Sequence, residues 1–300
     1  MPDSDSPTLT KMPTHVTSAE ATSPEKTGFT AHFWGVRGSV PTPGSDTVRY
    51  GGNTACVEIL VGNTRLIFDG GTGLRVLGKH LLHEQSSIEA HLFFTHAHWD
   101  RIQGFPFFMP AFVPGNSFHI YGSAAPNGAS IKQCLTDQML RPNFFTPLQK
   151  MQANMQFHNI TSGSAVPLED GLVVETIALN RQTSALGFRI TWQGRSLVYA
   201  TDTEPHRELD QNLLHLAQDA DLLIYDGTYA DSAYHDLNGK ASIAWESGLN
   251  LVKEAAVKEL ILFHHNPVHD DDFLDRMEME IRQHFGNVRL AREGMSLQMV

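Results

Sequence analysis

The run Thr95-His96-Ala97-His98-Trp99-Asp100-Arg101 places two imidazoles and a carboxylate within five residues, His96 to Asp100. Imidazole nitrogens and carboxylate oxygens are the ligands that zinc, iron and manganese accept, and this spacing brings them to one ion. The last residue opposes that chemistry. A guanidinium has no lone pair to give and stays protonated at any accessible pH. About 4 Å from a divalent ion it repels it by about 8 kcal/mol at an effective dielectric of about 20. Only an Arg101 side chain turned into solvent escapes that cost.

The elements around this run decide whether it forms a site. Ala90 to Phe94 is apolar and strand-like, and it delivers Thr95 and the histidines to one rim of a sheet. Ala55 to Val61 and Thr64 to Phe68 read as a hairpin about Gly62-Asn63, ending in Asp69-Gly70-Gly71-Thr72-Gly73. A helix is expected from Leu74 to about His83. Ser117 to Tyr121 reads as a strand and Ile131 to Leu140 as a helix.

The second half repeats this grammar. Leu172 to Leu179 is a strand ending in Asn180-Arg181. Gly187 to Trp192 and Ser196 to Ala200 form a hairpin that ends in Thr201-Asp202-Thr203-Glu204. Leu222 to Tyr225 ends in Asp226-Gly227, and Leu260 to Phe263 ends in His264-His265. Ala241 to Lys258 and Asp271 to about Phe285 read as helices, the latter with acidic residues in its first turn, where the helix dipole favours them. Asp69, His96, His98, Asp100, Asp202 and His264 thus all follow strands. The class is α/β (α+β), with two mixed sheets packed together, helices outside and a site along one shared edge.

Bulk properties narrow the function. The net charge of −11 argues against bulk nucleic-acid binding but leaves room for a local basic pocket. Cys56 and Cys134 provide no disulfide framework. No apolar run is long enough for a membrane span, and the N-terminus lacks a signal-peptide layout, so cytoplasmic residence is the default expectation. Residues 1 to 28 are rich in Ser, Thr, Pro and charge and read as a disordered tail, leaving 29 to 300 as one domain.

The ordered set Trp34 to Ser39, Gly52 to Cys56, Asp69 to Gly73, Thr95 to Asp100, Ala200 to Glu204 and Phe263 to Pro267 resembles the metallo-β-lactamase fold. Within it the chain is similar to the ribonuclease Z-like and cyclic-nucleotide phosphodiesterase-like hydrolases. The resemblance implies an αββα sandwich with a dinuclear metal site. His96 and His98 would bind one ion, Asp100 and His264 the other, and Asp202 would bridge them. Asp69 would orient a ligand or the attacking water. A homodimer is also in keeping with the resemblance.

Three positions depart from the family pattern: Arg101 and Arg181 stand where it has metal-binding histidines, and Ala241 where it has a phosphate-contacting one. Two readings follow. In the first, the arginines replace metals as counter-charges, and the cleft, with Arg101, Arg181 and Arg37, binds a phosphate-containing small molecule or a protein partner without hydrolysis. Beside it stands the plainer case, in which Asp69, Asp100 or Asp202 engages the arginines internally. In the second, His96, His98 and Asp202 hold one Zn, Mn or Fe ion in a mononuclear phosphodiesterase, with Asp69 or Asp100 as general base. The cofactor is accordingly none or one divalent metal.

Overall fold

The computed structural model describes residues 28–84, 87–180, 182–203, 210–227 and 244–299, with side chains from 248 onward in the last stretch. Apart from Gly28, the expected tail lies outside the described residues, as do Arg181, Glu204 and Ala241.

Alternation of apolar and polar residues builds β1 (Phe29–Gly35), whose buried positions are every second residue. The apolar runs give β2 (Cys56–Val61), β3 (Thr64–Phe68), β4 (Glu89–Phe94) and β5 (Ser117–Gly122), followed by β6 (Asn154–Asn159). The second half supplies β7 (Ala165–Pro167), β8 (Val173–Asn180), β9 (Ala185–Trp192), β10 (Arg195–Ala200), β11 (Leu222–Asp226), β12 (Glu259–Phe263) and β13 (Val288–Leu290). A last strand, β14 (Ser296–Gln298), returns to the first sheet. The sheets are ordered β14-β1-β2-β3-β4-β5-β6 and β13-β12-β11-β10-β9-β8-β7.

Both predicted hairpins form. Gly62 takes φ +57° in the first, and Gln193 and Gly194 take +47° and +75° in the second, as the right-handed strand twist requires. Helices α1 (Thr72–Leu81) and α3 (Ile131–Gln138) cover the first sheet; α2 (Trp99–Ile102) is a single turn at its rim. Helices α4 (Gln211–Ala217), α5 (Ala244–Glu254) and α6 (Asp271–His284) belong to the second sheet's side. Helix α1 buries Leu74, Leu77, Gly78 and Leu81, the one-face spacing of an amphipathic helix. Asp270 caps α6 by accepting the Phe273 N–H at 2.7 Å.

Three apolar layers result. Phe33, Phe68, Phe93, Phe188, Tyr199 and Phe263 interlock between the sheets, and one further cluster lies beneath the helices on each outer face. Each fully buried phenylalanine contributes about 1.5–3 kcal/mol. This is the expected αββα sandwich.

Five strands (β1, β6, β7, β13, β14) and helices α2 and α4 have no counterpart in the sequence-based expectation. Strand β1 alternates and its signal was overlooked, whereas β7, β13 and β14 are three residues long and β6 is partly exposed along its whole length, so those four carry no clear period-two signal. The late helix ends earlier than predicted, at Glu254, and its predicted start at Ala241 lies outside the described residues. Ala256 reverses the chain at φ +53°, and Lys258 already leads into β12.

The topology explains the shared rim. Strands β3 and β4 are parallel, as are β10, β11 and β12. Parallel strands release their following residues at the same edge. Asp69, Thr95, Thr201, Asp226 and His264 therefore gather at one end of the sandwich.

Candidate active-site cleft

A small cleft of about 120 Å³ opens at this rim, lined by Ser39, His96, His98, Asp100, Arg101, Asp202, Asp226 and His264. His98 takes extended backbone angles and begins α2, which puts Asp100 in the helix's first turn. Asp69, Asp202 and His264 each leave their strands with φ near +60°. This left-handed conformation is rare outside glycine, less so for Asp and His, and costs on the order of 1–3 kcal/mol when a side chain must be aimed.

His96, His98 and Asp202 converge. One ligand atom from each lies within 4.8 Å of the others. His96 Nδ1 meets the Thr95 hydroxyl at 3.0 Å, which leaves Nε2 facing Asp202 Oδ2 at 3.6 Å. Burial, with Arg101 and His98 nearby, holds the His96 imidazole well below its ordinary pKa. A neutral ring is the form that binds metal. The trio runs from the buried floor at His96 to the exposed mouth at His98, so it suits a single ion approached from solvent.

Asp100 and His264 form a separate arrangement. His264 Nε2 lies 3.0 Å from Asp100 Oδ2, and its Nδ1 lies 3.5 Å from Asp226 Oδ1. The Ser39 N–H also donates to Asp100 Oδ2 at 3.2 Å, and Arg101 Nε stands 3.5 Å from the same oxygen. Burial alone would raise the Asp100 pKa. The His264 hydrogen bond and the Arg101 charge outweigh it and hold the carboxyl far below the usual range. Burial and Arg101 push the His264 pKa down, but Asp226 and Asp100 prevail and raise it.

Arg101 is wholly buried. Its Nη1 donates to Asp69 Oδ2 at 2.7 Å, to Thr201 Oγ1 at 3.0 Å and to Tyr199 Oη at 3.3 Å. Desolvation would weaken its charge, yet Asp69, Tyr199 and Asp100 raise its pKa above the ordinary value. Its Nη2 has no hydrogen-bond acceptor among the described residues, although Arg101 lines the cleft.

The predicted residues divide. His96, His98, Asp100, Arg101, Asp202 and His264 meet in the cleft. Asp69 lies behind it, a position that speaks against the general base of the second reading. The Thr95 N–H and hydroxyl donate to its Oδ1, and Arg101 and Tyr199 donate to its Oδ2. Neither oxygen is left to take a proton from a substrate.

Arg37 also departs from expectation. It is fully buried and clamps loops, donating from Nε to Gly51 O at 2.8 Å and from Nη1 to His269 O at 2.7 Å. Its Nη2 lies 3.8 Å from Asp271 Oδ1. Arg37 is no part of the cleft lining.

Sequence reasoning missed Asp226, Thr183, Tyr199, Thr201 and Ser39 as contributors. Asp226 accepts the Asp202 N–H at 2.6 Å, and the Thr183 hydroxyl donates to Asp202 Oδ2 at 2.6 Å. Asp226 ends an apolar strand, as Asp69 does, and that signal was available in the sequence. Tyr199 lies within a strand and carried no such mark.

Comparison with known proteins places this geometry. Residues 64–265 match the family model described as a beta-lactamase superfamily domain. The ribonuclease Z of Gemmatimonas aurantiaca is 33% identical over 147 residues, covering 47% of this chain and 40% of that protein. The matched part thus spans about two fifths of that relative's length. Among solved structures, the metallo-beta-lactamase fold protein YhfI from Bacillus subtilis superposes with a TM-score of 0.66 at 18% identity, over 91% of this chain and all of that one. Zn(2+)-bound PqqB from Methylobacterium extorquens gives 0.65 at 14% identity, over 90% of this chain and all of that one. At these identities the structures establish a shared fold.

Proposed function

The chain belongs to the beta-lactamase superfamily, and on that premise we propose that it is a single-cation variant: a protein that binds a phosphate-containing ligand without two-metal hydrolysis. One divalent ion, Zn, Mn or Fe, is held by His96, His98 and Asp202. Arg101 supplies the second positive charge from within the chain.

The observation that carries this reading is the buried Arg101 guanidinium, 2.7 Å from Asp69 and 3.5 Å from Asp100. A group fixed there repels a second ion beside Asp100 and His264, so that pair does not fit one. The trio of His96, His98 and Asp202 does fit an ion, since two imidazoles and a carboxylate converge. An ion there would supply Lewis acidity toward a phosphate oxygen.

The chain's own residues favour binding over turnover. A general base works best with a pKa near the working pH. Asp100 is held far below that, and both Asp69 oxygens are already engaged. The Arg101 guanidinium is wholly buried, so its charge favours an anion in the cleft through its field and not through contact. The cleft volume is below the range of ordinary small-molecule sites, which suits a phosphate-sized head group.

Elemental analysis of protein grown with zinc, iron and manganese and purified without chelator tests the proposal. About one equivalent of metal, lost in His96→Ala, together with no metal-dependent cleavage of bis(p-nitrophenyl) phosphate, is expected. Two equivalents would overturn the Arg101 argument. The open three-ligand set itself favours one alternative, the mononuclear phosphodiesterase. Turnover that disappears in His96→Ala would establish that alternative.

A further inference from the structure

A second cavity lies at the opposite rim of the second sheet. It measures about 600 Å³, within the range of small-molecule sites. Arg195, Leu222, Glu259 and Val288, at the first residues of β10, β11, β12 and β13, contribute to its wall. Leu297 and Gln298 of β14 in the first sheet, with Met299 after it, also line it. It shares no lining residue with the candidate cleft. Leu222 and Asp226 begin and end one strand, so the two sites stand about 13 Å apart along it.

Its charge runs against that of the chain. Arg195, Lys258, Arg282 and Arg289 line it with Asp221 and Glu259, so four cations face two carboxylates, a local balance of +2 in a chain of net −11. Two of the cations share Asp221: Lys258 Nζ at 2.7 Å and Arg195 Nη1 at 3.5 Å. Arg289 pairs with Glu259. Arg282 makes no ion pair with any described residue. The wall is apolar at Leu222, Val288 and Leu297, all buried.

We propose that this cavity is a second binding site, for an organic phosphate such as a nucleotide. Guanidinium groups recognise phosphate in bidentate fashion, and the apolar wall receives the organic portion. The concave shape selects a small molecule over a polymer. It is the local basic pocket that the overall negative charge leaves room for.

Calorimetric titration with ADP, in chelator-free and magnesium-free buffer, tests it. A saturable event that persists in His96→Ala is expected, since the cleft residues take no part in this site. Arg195→Ala with Arg282→Ala is expected to weaken binding at least tenfold. Arg282→Glu alone, at an exposed side chain without an ion pair, is expected to weaken it similarly while leaving thermal unfolding unchanged. Absence of saturable binding would overturn the proposal. So would loss in His96→Ala with retention in the arginine variants, which would assign the ADP to the candidate cleft.

Discussion

At the scale of single residues, one side chain governs the cleft. Arg101 neutralises Asp69 while standing beside Asp100. Arg101→Met leaves both carboxylates buried without their guanidinium and is expected to lower stability by about 3–5 kcal/mol, read from urea unfolding. A loss under about 1 kcal/mol would show that the pair is not coupled as described. Arg101→His combined with Arg181→His exchanges two guanidiniums for imidazoles that can bind metal. Metal content is then expected to rise above that of the unaltered chain, measured by elemental analysis. No rise would mean that the ligand geometry, beyond the ligand identity, has drifted. The histidines and the strand-end aspartates were legible in the sequence because residue type and position coincide there. The fate of Arg37 was not. Its role depends on carbonyls of Gly51, Asn266 and His269, which only the folded loops bring together.

At the scale of elements, close backbone approach fixes α2 against the loop after β3. The Gly70 N–H donates to Arg101 O, and the Gly104 N–H donates to Gly70 O. A Cβ at Gly104 would stand 1.8 Å from Gly71 O, an impossible contact with backbone. Gly104→Ala is therefore expected to cost at least about 3 kcal/mol and to displace the Asp100 and Arg101 pair, seen as a fall in melting temperature together with loss of metal. Retention of both would refute the packing argument. The sequence displayed these glycines, and the Asp69 to Gly73 run announced a close approach. It did not say what approaches, because the partner is a backbone oxygen and leaves no trace in residue type. The edge strands were invisible for a related reason. Strands as short as β13 and β14 are held by their neighbours' ladders more than by a pattern of their own.

At the scale of the whole molecule, buried histidines tie stability to pH. Burial holds His265 at a pKa of about 3, only partly offset by its hydrogen bond with Ala291 O. The unfolded chain takes up a proton near pH 6.5 that the folded chain refuses until about pH 3. Stability from this group is thus present above pH 6.5 and lost as pH falls toward 3. His91, depressed to about 4 by burial and by His119 and His158, acts in the same direction. Unfolding free energies measured between pH 6.5 and 3 are expected to fall with acid, and His265→Gln is expected to reduce the slope by about one proton. An unchanged slope would remove His265 as a cause. The sandwich itself was legible in the sequence, since hydrophobic period and strand-end chemistry pointed to the same layered arrangement. The cavity at the far rim was not, because its lining is drawn from five strands, a helix and several loops far apart in the chain.

Tyr199 belongs to the apolar layer between the sheets, and its hydroxyl is bonded to Asp69 and within reach of Arg101. The cleft's charges are therefore rooted in the same layer that makes the chain fold. Any lineage of sequences that exchanged Arg101 would have to solve a folding problem before a chemical one. Stability would therefore screen any exchange at Arg101 before a gain or loss of metal binding could be felt.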